Sequence, residues 1–273
     1  MKTLANHQIL FDAECPMCKM YTKAIVSAGI MDQNGRAAYQ DITEESCPML
    51  DRQRAVNEIA LVNQETGEVT YGIESLFKVM AVALPVLKPL FSFKPFVWLM
   101  AKVYAFISYN RRVIVPPKTS TDRFQLQPTF KLNYRIIYIV ISWFVVSVIL
   151  SAYVNLLGAV LPAGDAYKEY LICGGQVVFQ GLIIYVMDKS KTWNYLGNMM
   201  TVSLAGALLL LPVLLLSKLI VLGPVFCTAW FLAVAGIMLL EHVRRCKLLG
   251  LGWGITVSWV LYVLIVSAII LYR

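Results

Sequence analysis

The sequence predicts two fold classes in one chain: an α/β unit followed by an all-α bundle of transmembrane helices. Strand-like and helical apolar patterns alternate through residues 9–84. A polar stretch opening with Pro116-Pro117 and running to about Asn133 then breaks the pattern. Beyond it, five apolar runs are each long enough to cross a bilayer. The boundaries read as 1–115, a linker at 116–133, and a membrane domain at 134–273. Composition agrees, because 59% hydrophobic and 15% charged residues are too apolar for one soluble domain of 273 residues.

Charge separates the halves. Residues 1–133 carry 15 Lys+Arg against 12 Asp+Glu, net +3, and residues 134–273 carry 9 against 4, net +5. In the second half those charges sit in short gaps between apolar runs, so the basic excess reads as membrane-flanking cations. No basic stripe with interleaved aromatics appears, and no nucleic-acid partner is expected. Met1 to Gln8 lacks an apolar core, so no cleavable signal peptide is expected. Six scattered cysteines do not suggest a disulfide scaffold.

In chain order, Ile9-Leu10-Phe11 reads as a strand running into Asp12-Ala13-Glu14-Cys15-Pro16-Met17-Cys18. Cys18, Tyr21, Ile25 and Val26 then recur at helical spacing, and Gly29 supplies a stop. Asn34-Gly35 marks a turn, and Ala37–Ile42 a second strand. Ser46 reads as an N-cap, with Pro48 early in a helix reaching Asn57. Glu58–Asn63 and Glu68–Gly72 are strands joined by a hairpin turn at Gln64–Gly67. Ile73–Leu84 is a helix ending near Pro85. The order is βαβαββα, and with a CxxC opening the first helix it resembles the thioredoxin arrangement. One departure is visible. Thioredoxins place a cis-proline just before the third strand of this core, where this chain reads Arg54-Ala55-Val56-Asn57-Glu58, so different substrate docking is expected.

Two cysteines at a strand-to-helix junction change thiol chemistry. The unpaired N–H groups and partial positive charge of a helix start favour a thiolate. The pKa of Cys15 should therefore fall, and Cys18, one turn on, is placed to close a disulfide with it. The same spacing also fits half a zinc site or inert thiols, but the chain has no second CxxC to complete a metal site. Asp12 reads in two ways: as a proton acceptor for Cys18 during exchange, or as a hydrogen-bonding residue at the helix entry. Asp12 and Glu14 oppose the helix dipole, which points to a reductant-like or balanced couple. Cys47 reads as a packing residue, with a third redox thiol as the sharper alternative.

Asp12-x-x-Cys15-x-x-Cys18 resembles the DxxCxxC signature of the DCC family of thiol-disulfide oxidoreductases. Tyr71-Gly72-Ile73-Glu74-Ser75-Leu76 extends the resemblance, as does Val103-Tyr104-Ala105-Phe106-Ile107-Ser108-Tyr109-Asn110-Arg111-Arg112, which looks like that family's closing helix and basic end. It covers roughly residues 7–115. It implies a thioredoxin-like fold and a redox role without naming a substrate. Residues Pro85 to Tyr109 are very apolar but interrupted by Lys88, Lys94 and Lys102. They read as helices packed on the core, with the membrane surface as the alternative place.

The five spans read as 134–157, 168–187, 197–217, 220–241 and 251–272. Cations alternate between the gaps. Arg111, Arg112, Lys118, Arg123, Lys131 and Arg135 precede the first span, Lys189 and Lys191 follow the second, and Arg244, Arg245 and Lys247 follow the fourth. A multi-pass protein of the cell membrane is expected, its N-terminal domain cytoplasmic and its C-terminus outside. Cys173, Gln176 and Gln180 share one face of the second span beside Gly174-Gly175, for helix packing or for a quinone or relay site. Cys173 and Cys227 read as fillers or as an outer electron-accepting pair. Glu241-His242 ends the fourth span, with His242 structural or a haem or quinone ligand.

The leading expectation is a membrane-anchored thiol-disulfide oxidoreductase working through Cys15, Cys18 and Asp12. Its partners would be a disulfide-containing protein or small thiol and the lipid bilayer, with no metal and no organic cofactor. Two alternatives remain open: a membrane carrier or quinone-linked protein with the CxxC domain as redox sensor, and a non-enzymatic module with a structural or metal-bound CxxC.

Overall fold

The computed structural model describes residues 3–43, 45, 47–117, 126–158 and 167–271. The chain divides into two compact units, Met1–Tyr134 and Arg135–Arg273.

The first unit is a thioredoxin-like α/β fold. Its elements are β1 (His7–Phe11), α1 (Pro16–Ser27), β2 (Arg36–Ala38), α2 (Arg52–Asn57), β3 (Ala60–Asn63), β4 (Val69–Tyr71), α3 (Gly72–Ala83), α4 (Lys88–Ser92) and α5 (Lys94–Ile114). The sheet runs β2-β1-β3-β4. β1 lies parallel to β2, with Phe11 opposite Ala38, and antiparallel to β3, with Ile9 opposite Leu61. β3 and β4 form the expected hairpin, with Ala60 opposite Tyr71. Successive strand side chains point to opposite faces, so the two central strands feed two cores. Ile9 and Leu61 pack with Ile25, Met31 and Val79 on the face covered by α1 and α3. Leu10 and Ala60 pack with Tyr39, Leu50 and Val56 on the α2 face. Each buried aliphatic side chain contributes about 1.5–3 kcal/mol relative to exposure.

Two boundaries differ from the sequence expectation. The second strand stops at Ala38, and Tyr39–Asp41 form a 3-10 turn. That turn aims Gln40 back at the CxxC loop, where its Oε1 accepts the Ala13 N–H at 3.1 Å. The second helix starts at Arg52 rather than near Pro48, because the Asp51 carboxylate caps it by accepting the Arg54 N–H at 2.9 Å. Ser46, the expected cap, lies outside the described residues. Gly72, where β4 turns into α3, has φ +63°. The backbone there favours glycine, while the one close neighbour of an added Cβ would be the end of the Glu58 side chain, Oε2 at 2.7 Å, which can swing aside. Farther on, Phe77 stacks on Phe91 and Phe96 with centroids 4.7 and 5.7 Å away, fixing α4 and α5 to α3. The axes of these two helices turn by 89° at Phe93. In the expected linker, Thr129 N–H donates to Asn57 Oδ1 at 2.8 Å and Leu126 packs near Leu10. Residues 118–125 of that linker lie outside the described residues.

The second unit contains α6 (Leu132–Val154, which starts in the first unit), α7 (Lys168–Met187), α8 (Thr192–Leu216), α9 (Pro224–Leu248) and α10 (Trp253–Leu271). All five stretches are long and apolar enough to cross a membrane. α8 begins five residues earlier than the expected third span. α9 starts at Pro224 rather than 220 and continues to Leu248, beyond the expected end at 241. Ion pairs carry it through its polar turn: Glu241 Oε1 lies 2.6 Å from Arg244 Nη2 and 2.7 Å from Arg245 Nε. Gly174 and Gly175 allow close packing on α7, since added Cβ atoms would stand 3.2 Å from Trp143 Nε1 and 2.5 Å from Tyr262 Oη.

Candidate functional site

The two cysteines sit where β1 ends and α1 begins. Cys15 is the N-cap of α1, and its Sγ accepts the Cys18 N–H at 3.2 Å. Pro16 takes the first helical position, where no N–H is needed. Both thiols are free and buried, Cys15 at 1% exposure, among Phe11, Ala38, Ala13, Met17 and Tyr21. The Cys15 thiol is lowered to about 7, chiefly by the hydrogen bond from the Cys18 side chain. The Arg111 charge and the Cys18 N–H act in the same direction, against burial and the Asp12 charge. Donating that hydrogen bond, and burial, push the Cys18 thiol up. The same pair of sulfurs thus favours the thiolate at Cys15 and the protonated thiol at Cys18.

Asp12 follows β1 directly, at 3% exposure, and each of its oxygens has two partners. Oδ1 accepts the Glu14 N–H at 2.9 Å and Gln40 Nε2 at 3.0 Å. Oδ2 lies 3.1 Å from Arg111 Nη2 and 3.8 Å from Arg112 Nη2. Arg112 also pairs with Glu14 at 3.0 Å and donates to Gln127 Oε1 at 2.7 Å. A carboxylate this deep is tolerated only because charge and hydrogen bonds surround it.

Arg111 is the residue sequence reasoning missed. Buried at 5% exposure, it joins Asp12 to the loop ahead of β3, where it donates to Asn57 O at 3.0 Å and to Val56 O. Tyr104 and Ser108 lie on the same face of α5, at helical spacing. The Tyr104 hydroxyl accepts the Ile59 N–H at 2.9 Å, and Ser108 Oγ donates to Asn57 O. This is the loop where the cis-proline of thioredoxins is absent from the sequence. Here its carbonyls are held by a guanidinium that also touches the CxxC turn. In sequence, Arg111 reads as a basic helix end. The signal for more was its spacing of seven from Tyr104 within an apolar helix.

The other singled-out residues lie elsewhere. Cys47 is half-buried against the Leu10 core. Cys173 and Gln176 line a cavity of about 420 Å³ walled by apolar side chains of α6 to α10. Gln180 does not line it. Its Oε1 accepts the Tyr195 hydroxyl at 2.9 Å and Ser258 Oγ at 3.3 Å. Cys227 is buried in the core cluster that Cys173 packs against, with its carbonyl accepting the Tyr153 hydroxyl at 2.9 Å. His242, expected at a span end, is inside the bundle at 1% exposure. Its Nε2 is 3.0 Å from Tyr195 Oη, its Nδ1 3.3 Å from Thr256 Oγ1, and its ring stacks on Trp259. Among the described residues, no three His, Cys, Asp or Glu side chains converge as a metal site.

No curated protein and no solved structure matches the chain. One family model does match, supporting a thiol-disulfide redox role for the N-terminal part. Residues 9–115, which include Asp12, both thiols and Arg111, match the family of DCC1-like thiol-disulfide oxidoreductases.

Proposed function

We propose that the chain is a membrane-anchored thiol-disulfide oxidoreductase in which Cys15 attacks and Cys18 resolves. The observation that carries this reading is the Cys15 sulfur at the helix start, lowered to about 7 beside a Cys18 thiol that keeps its proton. The Cys15 thiolate attacks one sulfur of a substrate disulfide, forming a mixed disulfide and expelling the second sulfur as a thiolate that takes a proton. Cys18 then loses its proton and attacks Cys15 Sγ. The Cys15–Cys18 disulfide forms, and the remaining substrate sulfur leaves as a thiol. Two electrons pass from Cys15 and Cys18 to the substrate, the first departing sulfur takes its proton from solvent, and the second takes the proton that Cys18 gives up.

In this reading Asp12 acts mainly through Arg111. Its carboxylate fixes the cation whose charge favours the Cys15 thiolate. The substrate class is a disulfide-bearing protein or small molecule. The dithiol unit faces the cytoplasm and the C-terminus lies outside, supported by Lys189, Lys191, Arg245 and Lys247 at alternate helix ends. Mapping cysteine accessibility in intact cells checks this orientation, and Cys15 labelling by an impermeant reagent from outside would reverse it. The exchange mechanism is tested with Cys18→Ser and Cys15→Ser. The first should accumulate a mixed disulfide on Cys15, and the second should form none.

A further inference from the structure

The α4–α5 elbow has one face committed and one face bare. Inward, Phe91 and Phe96 stack on Phe77, and Tyr104, Ser108 and Arg111 hold the loop ahead of β3. Outward, Val86 is 88% exposed and Trp98 63%, with Leu90, Phe93 and Leu99 also exposed. An apolar patch of this kind on an otherwise ordinary surface marks an interaction site. Its charge says with what. Lys88, Lys94 and Lys102 are exposed along the same segment, and Lys102 Nζ sits 5.8 Å from the Trp98 ring centre. From Ser75 to Thr121 the sequence has no Asp or Glu. Bulky apolar groups, an exposed tryptophan and unopposed lysines match the chemistry of a helix lying in an anionic headgroup layer. The same chain carries five helices apolar enough to span, so a bilayer is at hand.

We infer that this elbow is a lipid-surface contact. Its apolar side chains enter the boundary between headgroups and acyl chains, and its lysines meet lipid phosphates. It does not cross the bilayer. The two helices turn by 89°, and α5 cannot enter the hydrocarbon without pulling Tyr104 and Arg111 from the loop ahead of β3. This inference is independent of the dithiol chemistry.

The test uses the full chain in lipid nanodiscs, with the photoreactive residue p-benzoylphenylalanine at position 98, at position 93, or at exposed Met20 on α1 as control. In phosphatidylglycerol discs, positions 98 and 93 should crosslink to lipid and position 20 should not. Yields should fall at least about fivefold in phosphatidylcholine discs, or when Lys88→Glu, Lys94→Glu and Lys102→Glu are combined, since one lysine near an anionic surface is worth about that factor. The lipid comparison needs no lysine substitution, so misfolding of the triple variant leaves the test intact. Crosslinks to a second copy or to other helices of the same chain would overturn the inference. So would equal lipid yields in both disc types, which would make the elbow part of a span.

Discussion

Beside the CxxC turn the buried Asp12 carboxylate is held by guanidiniums, whereas the buried His242 ring in the helical bundle meets the hydroxyls of Tyr195 and Thr256. Asp12, Arg111 and Arg112 come from both ends of the first unit and meet within 4 Å. Gln180, Tyr195, His242, Thr256 and Ser258 come from four helices and exchange uncharged hydrogen bonds. The difference is one of purpose. A neutral network fastens helices with little effect on anything's ionisation. A buried ion pair is costly to desolvate and adds little net stability, but its field acts on the neighbouring sulfur.

The largest effect that would break this contrast is at the sulfur itself. Cys15→Ser should reduce disulfide exchange to background in a glutathione-disulfide assay, while His242→Leu should leave it intact. Next in size is Arg111→Met. It removes the nearer of the two cations from the buried Asp12 carboxylate, leaving Arg112 at 3.8 Å, and should cost up to about 3–5 kcal/mol. Hydrogen exchange of β1 and β3 amides in the full chain reads this loss, and adding Asp12→Leu should recover part of it.

The pH profile sharpens the same point. Alkylation of Cys15 requires the thiolate, so its rate should rise with pH through about 7 and level off above. In Arg111→Met the midpoint should move up towards the ordinary thiol value of about 8.5. An unmoved midpoint would remove Arg111 from the electrostatics. In the bundle, His242→Leu should lower thermal stability by about 1–3 kcal/mol, as for a buried hydrogen-bonding group lost. The Cys15 midpoint should stay where it is. Smallest is Gly72→Ala, with a backbone cost of about 1–2 kcal/mol from its positive φ, read as faster exchange of the β4 amides.

Local patterns made much of this legible. Alternating apolar residues announce β1 and β3, Cys15-Pro16 announces the start of α1, and long apolar runs announce the five spans. What sequence could not show was contact between distant residues. Asp12 and Arg111 are 99 positions apart, and nothing local to either marks them as a pair. Gln40 was hidden because Ala37–Ile42 alternates like a strand, although its side chain bends the chain towards Asp12 and Ala13. Glu241, Arg244 and Arg245 read in sequence as the limit of a span, and the helix α9 runs on past them to Leu248. Their mutual ion pairs instead extend the helix, leaving His242 buried.

The most direct test is a redox titration of the full chain in glutathione buffers, with differential alkylation of each cysteine read by mass spectrometry. The account predicts one reversible two-electron couple between Cys15 and Cys18, at a potential between about −270 and −120 mV as for other CxxC oxidoreductases. It should vanish in both Cys15→Ser and Cys18→Ser, while Cys173, Cys227 and Cys246 stay unlinked. Absence of any such couple, or its survival in Cys15→Ser, would contradict the account.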